Sequence, residues 1–225
     1  RDFREAMMIV NTSGWDTDCN AGNLGCILGI KDGLEAIPLD LRTLVADRIY
    51  VPTANVGGTI TDVAREAERI ASIGHFCVSG EKPSVQRPRF DFTYDGSLRG
   101  FRGAPGTELE NVMIPGGAGR ALRIRATSTA TATTATFIPP DALDMQGYDL
   151  HAAPTLYAGQ EVRALVHTDG VIHTPLTARI VADYYGTDDA THTFGSADLE
   201  LHPGQQELRW TVPQIDGAVV HGIGV

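Results

Sequence analysis

Hydrophobic periodicity changes once along this chain, and the change limits the folds open to it. Up to about residue 80 the apolar residues recur at intervals of three and four, the spacing of one helix face. From about residue 87 they alternate, the spacing of a half-buried strand. One helix bundle or one sheet cannot satisfy both patterns. The expected fold class is multidomain α + β: a helical portion over residues 1–80, a linker over 81–88, and an antiparallel β-sandwich of jelly-roll type over 89–225. The join Ser79-Gly-Glu-Lys-Pro-Ser-Val-Gln-Arg-Pro88 is polar and holds two prolines, as a linker would.

In the first portion, Asp2 to Asn11 reads as a short helix with Phe3, Met7 and Val10 on one face. The next helix is expected from about Cys19 to Lys31, with Asp18 as its N-cap. Its glycines at 22, 25, 29 and 33 recur at helical spacing, and each costs about 1 kcal/mol against alanine in a helix interior. That cost makes sense where another backbone packs closely, so this helix is expected to be buried. Pro38 starts a helix through Asp47. Thr61 and Asp62 start one that ends near Gly74, with Val63, Ala67, Ile70 and Ala71 as its apolar stripe. In the second portion, strands are expected over 89–94, 121–126 and 132–138. Others follow at Val162 to Val166, Leu176 to Ala182, Leu199 to Leu201 and Leu208 to Val212. Asp169-Gly170 gives a hairpin signal.

Composition removes several function classes. The formal net charge is −10 and the pI near 5.0, which disfavours a binder of nucleic-acid duplexes. Hydrophobic residues make up 42% and charged residues 20%, which suits a folded globular protein. No apolar run approaches the roughly 18 residues of a membrane span. The 3 cysteines, Cys19, Cys26 and Cys77, are odd in number and lack CxxC or zinc spacing, so no disulfide framework is expected and the compartment stays open. The sequence starts at Arg1 without Met or a leader, and a cleaved chain, one half of a split protein or a cut piece is expected.

The chemically loaded string is Gly14-Trp-Asp-Thr-Asp-Cys-Asn-Ala-Gly-Asn-Leu-Gly25. In an extended D-x-D, alternate side chains point the same way, so Asp16 and Asp18 would offer oxygens to one hard cation while Thr17 points elsewhere. Mg²⁺ is usually held by one or two carboxylates, with other positions left to water and substrate. The following helix N-terminus adds free backbone N–H groups. The same pattern also describes a capped loop with a solvated acid. Trp15 either stacks on a substrate base or sugar or anchors the loop. Asn20 and Asn23 either face substrate or cap the helix start. Cys26 and Cys77 read as core residues. In the second portion, His167 and His173 flank the expected hairpin and face opposite sides. Asp183, Asp188 and Asp189 surround a turn that would suit calcium or simply be solvated. Tyr184, Tyr185 and Trp210 offer a sugar-stacking platform, although Trp210 alternates with Leu208 and Val212 as a core residue would.

This string, followed by a small-residue helix with Ile27-Leu-Gly-Ile30 and then Ile37-Pro38, resembles the C-terminal part of the ADP-ribosylglycohydrolase family. The stretch TITDVAREAERIAS looks like that family's last helix, and the resemblance covers about residues 1–75. It implies an all-α domain with a divalent-metal centre, usually magnesium and often binuclear, with manganese as an alternative. That centre cleaves a glycosidic bond at the anomeric carbon of a ribosyl unit. By position, Asp16 and Asp18 match the family's metal-binding acidic pair. Cys19 stands in the third metal position, where the family commonly has Ser or Thr. A thiol is a poor partner for magnesium. The resemblance assigns no catalytic base here, because the family's other acidic cluster lies in a half not contained in these residues. It implies a sugar or ADP-ribosyl substrate, for which Trp15 and Asn20 are the string's candidate substrate-binding residues. The implied partner is the N-terminal half of the same enzyme, or a second chain carrying it. A non-catalytic reading stands beside this one: the sandwich as a carbohydrate-binding or interaction module, with the helical part a remnant.

Overall fold

The computed structural model describes residues 2–52, 54–81, 87–117, 119–143, 145, 150–168, 170, 175–215 and 217–225. It is an α + β protein whose contacts divide it into two compact units, Arg1–Ala46 and Asp47–Val225. Among the described residues, no helix is long and apolar enough to cross a membrane.

The first unit holds α1 (Phe3–Asn11), α2 (Thr17–Asp32), a 3-10 turn over Leu34–Ala36, and α3 (Leu39–Val45). Helix α1 starts where the sequence predicts, because the Asp2 carboxylate accepts the Glu5 backbone N–H at 2.7 Å. It stops at Thr12, whose hydroxyl donates to the Met8 carbonyl at 2.9 Å. Phe3, Met7 and Val10 are half-buried, and α1 packs against α2. Arg4 Nη2 reaches both Asp40 carboxylate oxygens, at 2.6 and 2.7 Å, and ties α1 to α3. That bond holds the Asp40 carboxyl below the usual carboxylate range. Both side chains are exposed, so the pair contributes little to stability.

Helix α2 departs from expectation. It contains no buried residue, Ile27 is 61% exposed and Ile30 is 88% exposed. A Cβ built on Gly22, Gly25 or Gly29 would meet nothing within 4 Å. Leu24, Ile27, Leu28 and Ile30 are spread around the helix, and packing with α1 shelters only one side of it. The cap also shifts. The N-cap is Asp16, and Asp18 lies inside the first turn.

The second unit opens with a hairpin that the helical pattern gave no sign of, β1 (Arg48–Tyr50) paired antiparallel with β2 (Ile60–Asp62). Strands of three residues are too short to register a period of two. Helix α4 (Val63–Ser79) follows, capped by the Asp62 carboxylate on the Arg65 N–H at 2.9 Å. It runs past Gly74 and ends at Gly80, whose φ of 73° lies in the left-handed region that glycine adopts without strain. Its expected apolar stripe is not its inner face: Val63 and Ile70 are exposed, whereas Ala64 is buried. Polar pairing sets this orientation. Arg99 is 2% exposed and lies between Asp62 (Nε to Oδ1, 3.3 Å) and Glu68 (Nη1 to Oε2, 3.8 Å). Asp47 accepts the Ser97 hydroxyl and the Leu98 N–H, the latter at 3.1 Å.

The remaining elements are β3 (Arg102–Gly103), β4 (Glu108–Met113), β5 (Arg120–Arg125), β6 (Ala132–Ala135), the short helix α5 (Pro140–Leu143), β7 (Glu161–Thr168), β8 (Thr177–Ala178), β9 (Val181–Tyr185), β10 (Thr191–Gly195), β11 (Leu199–Glu200), β12 (Gly204–Thr211) and β13 (Val219–Gly224). Five strands form one sheet in the order β10-β9-β13-β6-β3, and β12-β7, β4-β5 and β11-β8 form pairs. Every described pairing is antiparallel. The core joins Ile180, Ala182, Val220 and Ile223 to Leu208 and Val212, with Val162, Ala164, Val166, Phe194 and Trp210 packed around them. Alternate residues of β7 and β12 thus meet one face of the five-stranded sheet, as their period of two requires. Gly224 is required where β13 meets β6, because a Cβ there would lie 1.9 Å from the Ala132 carbonyl oxygen.

Two strand expectations change. Residues 89–94 are not a strand; Phe90 and Phe92 instead set their rings against Phe101, at 5.3 and 5.9 Å between centroids. Strand β7 pairs with β12, placing His167 opposite Gln205, and not with the next stretch of chain. Asp169, Ile172 and His173 lie outside the described residues, as do linker residues 82–86.

His221 of β13 is 7% exposed, and its ring stacks on Tyr185 at 4.3 Å between centroids. Burial holds its pKa below the ordinary imidazole value. The unfolded chain therefore takes up this proton first. Stability associated with His221 is full above the unfolded imidazole pKa of about 6.5 and falls as pH drops through it toward the lower folded pKa. Thermal melts between about pH 7.5 and pH 5.5 should show this decline, and His221→Phe should flatten it. A variant with the same slope as the parent would assign the decline to other groups.

Candidate metal centre

Asp16 owes its position to a backbone turn. It occupies the left-handed region (φ 44°, ψ 49°), which Asp tolerates better than most residues, and its side chain makes no capping hydrogen bond. Thr17, Asp18 and Cys19 then form the first turn of α2. The helix brings Asp18 and Cys19 back beside Asp16. A carboxylate oxygen from each aspartate and the Cys19 Sγ all lie within 4.8 Å of one another, and all three residues are exposed. The extended D-x-D geometry expected from the sequence is therefore replaced by a cap and a helical turn, which reach the same convergence. The positive end of the helix and its free N–H groups lie at the carboxylates.

The two flanking residues resolve differently. Asn20 Nδ2 donates to the Trp15 carbonyl at 3.1 Å, and its backbone N–H donates to the Asp16 carbonyl at 3.0 Å. It fastens the loop to the first helical turn. Trp15 is 80% exposed, so the reading of it as a buried anchor does not hold.

Cys19 stands beside both carboxylates. Its thiol hydrogen bond to Asp16 pushes its pKa up, and the Asp18 charge adds to the effect. Both effects favour the protonated thiol, which is a poor nucleophile. The donor set thus fits a hard cation through Asp16 and Asp18, with further positions filled by water or substrate; the thiol does not fit magnesium. Iodoacetamide should accordingly alkylate Cys19 severalfold more slowly than free cysteine at pH 7.5, and Asp16→Asn should speed it up. Equal rates in parent and variant would remove Asp16 as the cause.

Among the described residues no other group of three acidic, His or Cys donors converges in this way. Asp183 accepts the Thr193 hydroxyl at 2.6 Å, and Asp188 pairs with His192 Nε2 at 3.0 Å, so these acids serve the strand ends and the turn. Tyr184 and Trp210 pack into the core, whereas Tyr185 lies on the other face and donates to the Ile138 carbonyl at 2.8 Å; the three do not make one platform. Burial drives the Tyr185 pKa up to about 12. Cys26 and Cys77 are exposed, contrary to the core reading.

The sequence model of the family described as ADP-ribosylglycohydrolase matches residues 1–74, a segment that contains Asp16, Asp18 and Cys19. Among solved structures, the chain is similar to the Clostridium thermocellum N-terminal endo-1,4-beta-D-xylanase 10B, CBM22-1-GH10 modules complexed with xylohexaose. The two are 17% identical, the match covers 56% of this chain and 22% of that chain, and the TM-score is 0.37. No curated protein matches the chain.

Proposed function

We propose that residues 1–80 are the C-terminal portion of an ADP-ribosylglycohydrolase-like domain and contribute part of a divalent-metal centre to a glycoside hydrolase. The substrate is an ADP-ribosyl or related furanosyl linkage. The single observation that carries this reading is the convergence of the Asp16 and Asp18 carboxylates within 4.8 Å, inside the segment that the family's sequence model matches. The strand-rich remainder is read as a jelly-roll-like β-sandwich appended to it.

In this reading Asp16 and Asp18 would hold magnesium or manganese, as a single ion or as part of a two-ion centre. The bound cation supplies Lewis acidity and a lowered water pKa. Neither aspartate acts as sole base, and Cys19 stands in the third metal position, where a thiol is a poor partner for magnesium. Asn20 holds the loop closed, so that the left-handed turn at Asp16 keeps the two carboxylates together. Exposed Trp15 beside them offers a face on which a base or sugar ring stacks. The remaining acidic ligands and the proton-transfer group come from a partner segment, the N-terminal half of the same enzyme or a second chain.

The test is release of ADP-ribose from an ADP-ribosylated protein by the protein as isolated with its partner. Release should require added Mg²⁺ or Mn²⁺, stop with chelator, and be lost in Asp16→Ala. Release that is indifferent to chelator or to Asp16 would sink the assignment.

A further inference from the structure

The five-stranded sheet turns Ala182, Tyr184, Val220 and Ile223 into the core and leaves its other face free to carry polar residues. On that face the second unit holds a cavity of about 320 Å³, whose lining includes Arg48, Arg102, Asp141, Asp183, Thr193 and His221. Three features build it. First, the register between β13 and β9 shifts between Val220 and Gly222, which makes His221 the extra residue of a β-bulge. Bulges redirect a side chain locally, and this one sets His221 in the cavity wall. Its Nε2 is buried and has no hydrogen-bond partner among the described residues. Second, Gly222 stands opposite Asp183, and a Cβ there would come within 3.1 Å of the Asp183 carboxylate. Glycine leaves that carboxylate its place. Third, Arg48 and Arg102 both donate to Asp141 Oδ2, at 3.1 and 2.7 Å, while Thr193 donates to Asp183 at 2.6 Å.

The lining selects the chemistry of an occupant. Two guanidinium groups face two carboxylates, so the wall carries no net charge. An anion would meet the Asp141 and Asp183 carboxylates beside the two guanidiniums. A divalent cation would face the two guanidiniums. An apolar ligand would find no side chain larger than proline that is purely aliphatic. What remains is a neutral molecule with several hydroxyls, each able to donate to a carboxylate and accept from a guanidinium. The volume is at the low end for ligand pockets, which suits one ring and not an extended chain.

We propose that this cavity is a binding site for a single neutral sugar ring, with Asp183, Asp141 and Arg102 making its hydrogen bonds and Thr193 orienting Asp183. The site belongs to the second unit alone and goes beyond the metal-centre reading, so either can fail without the other.

The experiment is ¹⁵N NMR of the His221 ring in the intact protein, titrated in turn with D-glucose, D-galactose, D-xylose, D-ribose and inorganic phosphate, without divalent metal. At least one sugar should produce a saturable shift with a Kd on the order of 1 mM. Asp183→Asn, which keeps the shape against Gly222, and Arg102→Gln, at a half-exposed position, should each weaken it at least about tenfold while the rest of the spectrum is retained. The proposal is overturned if no sugar gives a saturable shift, if only phosphate does, or if both variants bind as the parent does.

Discussion

Replacing Asp16 with alanine should lower the affinity of the assembled protein for Mn²⁺ by at least about 100-fold, equivalent to about 2.8 kcal/mol. The reasoning starts from the backbone. Asp16 is exposed, sits at the N-cap of α2 and makes no capping bond, so its carboxylate is not needed to start the helix. Its left-handed conformation costs alanine about 1 to 2 kcal/mol. Asp16→Asn avoids that cost, because Asn accepts this conformation, and removes only the charge. Both variants should lose affinity, with Asn the milder and the helix content unchanged in each. Titration followed by electron paramagnetic resonance of Mn²⁺ reads the free ion directly. Parent-like affinity in both variants contradicts a role for Asp16 as a ligand.

The second large effect lies in the other unit. Asp62→Ala should destabilise it by about 3 to 5 kcal/mol, the range for breaking one partner of a buried ion pair. At roughly 2 to 4 °C per kcal/mol for a unit of this size, the melting temperature falls by about 10 °C. Two roles are lost together. Asp62 caps α4, and it is the nearest charge partner of Arg99, whose side chain is only 2% exposed. The remaining partner, Glu68, is more distant at 3.8 Å. Arg99 Nε and Nη1 are buried without a well-directed hydrogen bond, and burial raises the Asp62 pKa in spite of the neighbouring guanidinium. Desolvation therefore outweighs attraction in this pair, and its worth lies mainly in what happens when half of it is removed. The double variant Asp62→Leu with Arg99→Met should be markedly more stable than Asp62→Ala alone. A double variant as unstable as the single would assign the loss to the α4 cap and not to the stranded charge.

The parts of the fold that were legible in the sequence are those decided by neighbours along the chain. The start of α1 beside Asp2, the start of α4 at Asp62 and the alternation of β7 and β12 are local, and each follows from residue type and spacing. What escaped depends on residues far apart. The outward face of α4 is set by Arg99, an arginine in a Ser-Leu-Arg-Gly loop with no local sign of burial. The exposure of α2 follows from what covers it, which its glycine spacing does not encode. The pairing of β7 with β12 skips everything between residues 168 and 204. The candidate metal site shows both sides of this. Asp16, Asp18 and Cys19 are close together and stood out as a string, yet the left-handed turn that joins them and the thiol's hydrogen bond to Asp16 emerged only from the geometry. The cavity of the second unit gave no signal, because its residues run from Arg48 to Gly222 and meet only through the sheet.

Native mass spectrometry of the protein as isolated, with Mg²⁺ or Mn²⁺ present, tests the central claim most directly. Shared ligation by Asp16, Asp18 and a partner segment predicts a complex of this chain with a second polypeptide, or with its own upstream half, that retains one or two divalent ions and loses them in Asp16→Ala. A chain that flies alone and metal-free under those conditions contradicts the claim.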